Sequence, residues 1–505
     1  MAKVIMVQGT MSGVGKSIIC AGLCRIFAQD GYKTAPFKSQ NMALNSYVTS
    51  EGLEIGRAQA VQAFAAGAEP SADMNPILLK PVTNMGSQVI VDGEVVGNMK
   101  AKEYYAMKHT LIPNIMNAYE RLAGKNDIIV IEGAGSSAEL NLKEGDFVNM
   151  GLAKMVDAPV LLVGDIDRGG VFAQLYGTVK LSEPDERERI KALIVNRFRG
   201  DISLFEDGVR QIEELCAKPV AGVVPMMDIS LDDEDSISER LARKKRGNGA
   251  DVAIIRTGKI SNFTDMTGLE LQDGLSVRYV GRADELGDPD MIILPGTKNT
   301  IEDLLELRDN GLEDVIIRCA KAGTQIAGIC GGYQMLGEEI KDEEGVENGT
   351  PTVIKGMGLV PVRTVFAGNK VRTRIKGRIC ASSGIMDSMQ GTEVTGYEIH
   401  MGRTEIIGGS EGEAFALLED GREDGCILGN VFGTYLHGIF DSDGFRTKLT
   451  QNLLAAKGMN TDVAEYNYNG FMEEQFDRLA DGLRNSLDMK LIYDILDGEH
   501  NGYDI

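Results

Sequence analysis

The chain has 505 residues, 43% of them hydrophobic and 61 of them glycine, with a formal charge of −23 at neutral pH. That length calls for two or three domains, and the composition suits soluble α/β folding. The acidic balance excludes a nucleic-acid-binding surface, although a local basic pocket can still take an anionic substrate.

The first element is a buried strand, Val4-Ile5-Met6-Val7-Gln8. Gly9-Thr10-Met11-Ser12-Gly13-Val14-Gly15-Lys16-Ser17 follows, then a helical pattern through Leu23 and Phe27. Strand, glycine-rich loop and helix is the setting of a P-loop. Its amides, with those of Gly13 and Gly15, would cradle phosphate oxygens, and Lys16 would reach the terminal phosphates. The Ser17 hydroxyl would bind magnesium. Five residues, not the usual four, separate Gly9 from Gly15. Cys20 and Cys24 share one helix face and read as core. The apolar start runs straight into the loop, so it is a strand and not a signal peptide.

Continuous apolar runs recur at 128–131, 159–163, 192–195 and 220–224. Separated by helical patterns, they predict parallel strands covered on both faces. An acidic run at 231–235 and a basic cluster at 240–249 predict a linker over 231–250. A second α/β unit begins at Asp251-Val252-Ala253-Ile254-Ile255, with further strands at 291–294 and 426–432. The last sixty or so residues read as helical, with Phe471, Phe476, Leu479, Leu483 and Leu487 as packing positions. The expected division is 1–230, a linker 231–250, 251–445, and a helical extension 446–505.

Within the second unit, Gln325-Ile326-Ala327-Gly328-Ile329 leads into Cys330-Gly331-Gly332-Tyr333-Gln334. Gly-x-Cys-x-Gly between strand and helix is a nucleophile elbow with sulfur in place of oxygen. The turn would set Cys330 at a helix N-terminus, where the dipole favours thiolate over thiol. A thiolate needs a base and an oxyanion hole. Of the four histidines, His437 lies just past a predicted strand and is the candidate base. Leu294-Pro295-Gly296-Thr297 ends another strand, so the Gly296 and Gly331 amides are candidate oxyanion donors. Seven scattered cysteines without a Cys-x-x-Cys pair point to a reducing, cytoplasmic setting. No stretch approaches a membrane span in length.

Pro-Gly-Thr, Gly-x-Cys-x-Gly and a downstream histidine, in that order, resemble the class I glutamine amidotransferase domain. That resemblance implies a flavodoxin-like α/β fold that hydrolyses glutamine through a glutamyl thioester and releases ammonia. Members usually carry His-Pro-Glu, the glutamate orienting the histidine; here the sequence is His437-Gly438-Ile439. The cobyrinate-amidating branch shares that departure, and His400 in Gly396-Tyr397-Glu398-Ile399-His400-Met401-Gly402 matches a motif of that branch. The first half is similar to the dethiobiotin synthetase relatives, which activate carboxyl groups with ATP and share the lengthened P-loop. The likeness implies that Lys38 steadies the transferred phosphate, that Glu132 joins Ser17 at magnesium, and that Asn196 reads the adenine. The family's magnesium-binding aspartate has no counterpart near Ser39-Gln40-Asn41.

The strings 37–45, 54–59, 75–81 and 165–172 together resemble the cobyric acid synthase family. What this implies is amidation of the b, d, e and g carboxylates of adenosylcobyrinic acid a,c-diamide with ATP, magnesium and glutamine. The cobalt corrinoid would be substrate and not cofactor. Arg57, Lys80 and Arg168 are candidate contacts to its carboxylates. Expected partners are small molecules, with no nucleic acid and no membrane; a homo-oligomer is compatible with the sequence. Amidation of another polycarboxylate, a nucleotide switch of the partitioning class and a glutamine sensor stay open. A switch would not need Cys330, and a sensor would not need Lys16.

Overall fold

The computed structural model describes residues 2–83, 86–231, 249–347 and 349–499. Most of the expected linker and its basic cluster (232–248), and His500, lie outside the described residues. The chain forms two compact units. The first takes residues 1–43, 53–236 and 469–505, and the second takes 44–52 and 237–468.

A six-stranded parallel sheet organises the first unit, in the order 220–225, 190–198, 160–165, 3–9, 128–132, 34–37. The apolar runs form strands because both faces are covered and every second side chain faces the same layer. Ile5 and Val7 join the helix Lys16–Gln29 through Ile19, Leu23 and Phe27, whereas Met6 faces the cluster holding Ile115 and Leu122. The central strand Lys3–Gly9 therefore delivers its loop to the carboxyl edge between two neighbours, where α/β sheets bind ligands. Four strands, Gln40–Met42, Ile77–Thr83, Gly86–Val91 and Glu94–Lys100, make a second sheet.

The helices Tyr468–Ser486 and Met489–Leu496 complete the first unit. Phe476, Leu479, Leu483, Leu487, Ile492 and Ile495 are buried with the helix Lys16–Gln29. A β-carbon on Gly22 would lie 2.2 Å from Leu483 Cδ1, so glycine is what lets these layers meet. Arg25 and Arg484 fix the contact through Asp477 and Asp30.

The second unit has a six-stranded sheet in the order 275–280, 250–255, 291–294, 325–329, 431–434, 426–428, antiparallel only at the last pair. Beside it stands a largely antiparallel sheet that the apolar runs do not announce. Its spine is the long hairpin of Val362–Ile379 and Glu393–Ile406. Half-buried strands carry alternating rather than continuous apolar residues, which weakens their sequence signal.

Candidate active site

The strand Gln325–Ile329 ends at Cys330, whose φ of 52° and ψ of −106° are strained for a side-chain-bearing residue. The helix Gly331–Leu336 follows at once. Crowding sets the residue choice: a β-carbon on Gly332 would sit 2.0 Å from the Leu294 carbonyl oxygen. Cys330 is 7% exposed, and its Sγ lies 3.7 Å from the Ile399 carbonyl oxygen.

His437 follows the neighbouring strand Val431–Thr434 and is buried. Its Nδ1 donates to Asp265 Oδ2 at 2.6 Å, and the Gly438 amide donates to Asp265 Oδ1 at 3.1 Å. The carboxylate fixes the tautomer, leaving Nε2 for Cys330, which also hydrogen-bonds the ring. Burial alone would lower the His437 pKa, but the Asp265 carboxylate and the Cys330 sulfur outweigh it and raise it to about 10. Tyr397 stacks on the imidazole at 5.2 Å and 16°, and the two backbones exchange hydrogen bonds of 3.1 and 2.9 Å.

Gly296 and Gly331 come to the same place. A β-carbon on Gly296 would be 2.8 Å from His437 Cε1, and one on Gly331 would be 3.1 Å from the Thr297 amide nitrogen. His400 stacks on Tyr435 at 3.7 Å, and its Nδ1 donates to the Gly402 carbonyl at 2.7 Å. Tyr435 in turn accepts from Gln334 Nε2 at 3.0 Å, and Gln334 Oε1 accepts from Thr300 at 2.8 Å. His400 thus supports the elbow helix from one layer away.

Asp265 is the residue that sequence patterns did not single out. It sits in the turn Phe263–Met266, 172 positions before His437. Its one signal is location: the turn follows the strand Ala250–Ile255, at the edge where catalytic loops gather.

In the first unit the loop of Gly13 (φ 73°) and Gly15 (φ 91°) precedes the helix Lys16–Gln29. Lys16 Nζ donates to the carbonyls of Gly135 (2.9 Å) and Met11 (3.2 Å). Glu132 Oε1 accepts from Ser17 Oγ at 2.9 Å and from Lys38 Nζ at 2.8 Å, while Oε2 accepts from Gln62 at 2.6 Å. Burial would push the Glu132 pKa up, but Lys38, Gln62 and Lys16 outweigh it and hold it below the usual carboxylate value. A hydroxyl beside an ionised carboxylate is the hard-oxygen pair that magnesium takes when phosphate and water fill its other positions. Among the described residues no group of three or more histidine, cysteine, aspartate or glutamate side chains could hold a metal. Asn196 Nδ2 donates to the Val14 carbonyl at 2.7 Å, bracing the loop.

The three candidate substrate cations diverge. Lys80 is buried 2.8 Å from Glu54, which removes it from a solvent-facing contact. Arg168 is half exposed and lies over Gly13, with Asp165 at 3.7 Å. Arg57 opens the helix Arg57–Ala65.

A family model described as the CobQ/CobB/MinD/ParA nucleotide binding domain matches residues 5–236. One described as the CobB/CobQ-like glutamine amidotransferase domain matches residues 251–445. Cobyric acid synthase of Ruminiclostridium cellulolyticum is 52% identical over 516 aligned residues, covering 100% of both chains. That of Lachnoclostridium phytofermentans is 52% identical over 98% of this chain and 99% of its own. That of a Thermoanaerobacter species is 48% identical over the same shares. With identity at this level from end to end and both domains matched, the chain belongs to the cobyric acid synthase family, enzymes that join a nucleotide-binding domain to a glutamine amidotransferase domain.

Proposed function

We propose that the enzyme converts adenosylcobyrinic acid a,c-diamide to adenosylcobyric acid, amidating the b, d, e and g carboxylates with nitrogen from glutamine at the expense of ATP. The observation that carries the chemistry is the buried Cys330–His437–Asp265 array in a chain that also holds a P-loop backed by Glu132. The corrinoid assignment rests on the full-length likeness to cobyric acid synthases.

At the cysteine site, Sγ attacks the side-chain amide carbon of glutamine, and the carbonyl oxygen takes the displaced electron pair. The Gly296 and Gly331 amides would receive that oxyanion. Imidazolium His437 passes its Nε2 proton to the leaving nitrogen, so ammonia departs and a glutamyl thioester remains. Water, deprotonated by the now neutral ring, then cleaves the C–S bond and releases glutamate. Asp265 keeps Nδ1 protonated through both steps.

At the P-loop, Lys16 and Lys38 would hold the phosphates, and Asn196 would face the base. Magnesium, held by Ser17 and Glu132, would neutralise charge on the phosphates when bound. A substrate carboxylate oxygen attacks the terminal phosphorus, ADP leaves, and ammonia displaces phosphate from the acyl phosphate to form the amide. A carboxylate is otherwise a poor acyl donor, which is why phosphorylation comes first.

The test is incubation with the corrinoid diamide, ATP, magnesium and glutamine, followed by mass spectrometry, with Cys330→Ala supplied with glutamine or ammonium. Four successive amidations, and a variant that works only with ammonium, are expected. Absence of any corrinoid product from the unaltered enzyme would refute the substrate assignment and redirect the search to other polycarboxylates.

A further inference from the structure

Three arginines gather where the strands 160–165 and 190–198 of the first unit end, and one of them differs from the others. Arg199 donates to Asp167 at 2.6 Å, and Arg197 donates to Asp165 at 3.2 Å. The Arg168 guanidinium makes no hydrogen bond among the described residues. Its ion pair with Asp165 is long, at 3.7 Å, and that carboxylate is already engaged by Arg197. Two carboxylates thus face three guanidiniums, which leaves a local positive charge in a chain whose formal charge is −23. The Arg168 side chain is 53% exposed, so its donors are open to a ligand.

That guanidinium lies over the P-loop. A β-carbon on Gly13 would be 3.4 Å from Arg168 Nη2 and 3.9 Å from its Cζ. Gly13 is at φ 73°, so on this side the loop presents bare backbone. The backbone that carries Arg168 is stitched to the same loop. Thr10 Oγ1 donates to Gln174 Oε1 at 3.2 Å, and Gln174 Nε2 donates to the Gly169 carbonyl at 3.2 Å. On the other side of Arg168, the fully buried Asp165 accepts the Asp167 amide at 2.8 Å, and the Ile166 amide donates to the Asn196 carbonyl at 3.1 Å. A fixed backbone bearing a cation with unspent donors is what preorganised charge stabilisation requires. The planar guanidinium fork matches a pair of phosphoryl oxygens.

We propose that Arg168 is a catalytic residue of the phosphoryl transfer, an arginine supplied in cis that binds the terminal phosphate of ATP, and not a contact to the carboxylates of the corrinoid. This rests on the ATP-dependent reading given above. In the step it serves, a carboxylate oxygen forms a bond to the terminal phosphorus while the bond from that phosphorus to the bridging oxygen breaks, and the electron pair leaves on ADP. Arg168 donates to the oxygens of the phosphoryl group in flight, where negative charge is spread.

The experiment compares the full-length enzyme with Arg168→Ala in two assays. In ammonium-supported amidation of the corrinoid diamide, kcat should fall by ~10³-fold, with the KM for the corrinoid within threefold. In titration calorimetry with Mg·ADP, alone and with aluminium fluoride as a mimic of the transferring phosphoryl group, the unaltered enzyme should bind the fluoride complex about 10²-fold or more tightly than Mg·ADP. The variant should bind Mg·ADP within threefold of the unaltered enzyme and lose that gain, with a thermal midpoint within 2 °C. A raised corrinoid KM at unchanged kcat would make Arg168 a substrate contact and overturn the proposal. So would equal losses for Mg·ADP and the fluoride complex, or an unaltered enzyme that shows no gain. A gain that depends on Arg168, without any corrinoid product from the unaltered enzyme, would remove the substrate assignment and leave Arg168 at the phosphate.

Discussion

Replacing Asp265 by asparagine keeps size and shape but removes the charge beside His437. In the unaltered enzyme the His437 pKa rises from 6.5 to about 10, which corresponds to ~5 kcal/mol in favour of the imidazolium. Asp265 and Cys330 share that effect, both close and both buried. With Asp265 the largest of the raising causes, a carboxylate contribution on the order of 2–3 kcal/mol corresponds to a loss of ~10²-fold in glutaminase kcat. The pH profile gives the sign independently. A histidine whose pKa is raised holds its proton until the solution passes that value, so activity that needs imidazolium should persist to about pH 10. In Asp265→Asn the alkaline limb should move towards neutrality. The assay is glutamate release across pH 6–10.5, with ammonium-supported amidation as the folding control. A variant within threefold of the unaltered enzyme and with an unmoved alkaline limb would refute the assignment of Asp265 as the orienting acid.

Glu132→Gln should cut ammonium-supported, ATP-dependent amidation by ~10²-fold or more while leaving basal glutamate release within threefold; equal losses in both would refute separate sites. Arg446, fully buried, donates to Gln272, Phe440 and Asp443. Arg446→Met should therefore cost ~3–5 kcal/mol and lower the thermal midpoint by ~6–20 °C; a shift under 2 °C would count against the network. Burial pushes the Glu347 pKa from 4.5 up to about 7. The folded state then binds more protons than the unfolded chain between those values, so stability falls as pH rises from 4.5 to 7, by up to ~3 kcal/mol. Glu347→Gln abolishes that slope, and its midpoint should gain on the unaltered protein between pH 5 and pH 8; a constant gap would refute the reading.

Continuous apolar runs made the parallel sheets of both units legible, because strands covered on two faces need no polar side. The elbow at Cys330 and the loop before Lys16 were legible for a different reason: their backbone geometry restricts residue type, so chemistry is written locally. Asp265 was not, because its partner is 172 positions away and a lone aspartate in a short turn has no spacing to betray it. Gln334 carried a motif position but no hint that Thr300 and Tyr435 fix its amide. The hairpin of 362–406 alternates in polarity and carries charged residues, which blurred it. The burial of Lys80 against Glu54 shows the same limit, since a lysine in sequence reads as exposed until its partner is known.

The closing helices of the first unit have a consequence for synthesis. Translation delivers the sheet and the helix Lys16–Gln29 first, yet the surface that meets Gly22 and the outer edge of the Phe27 ring arrives only with Leu479, Leu483 and Tyr493. During most of elongation, that face has no permanent cover. The ribosome-bound fragment must therefore expose an apolar strip, or shelter it with a chaperone, for about 450 residues of growth, which at 5–20 residues per second is roughly half a minute or more. Completion of the nucleotide-binding layer is thereby timed after the amidotransferase unit has been made.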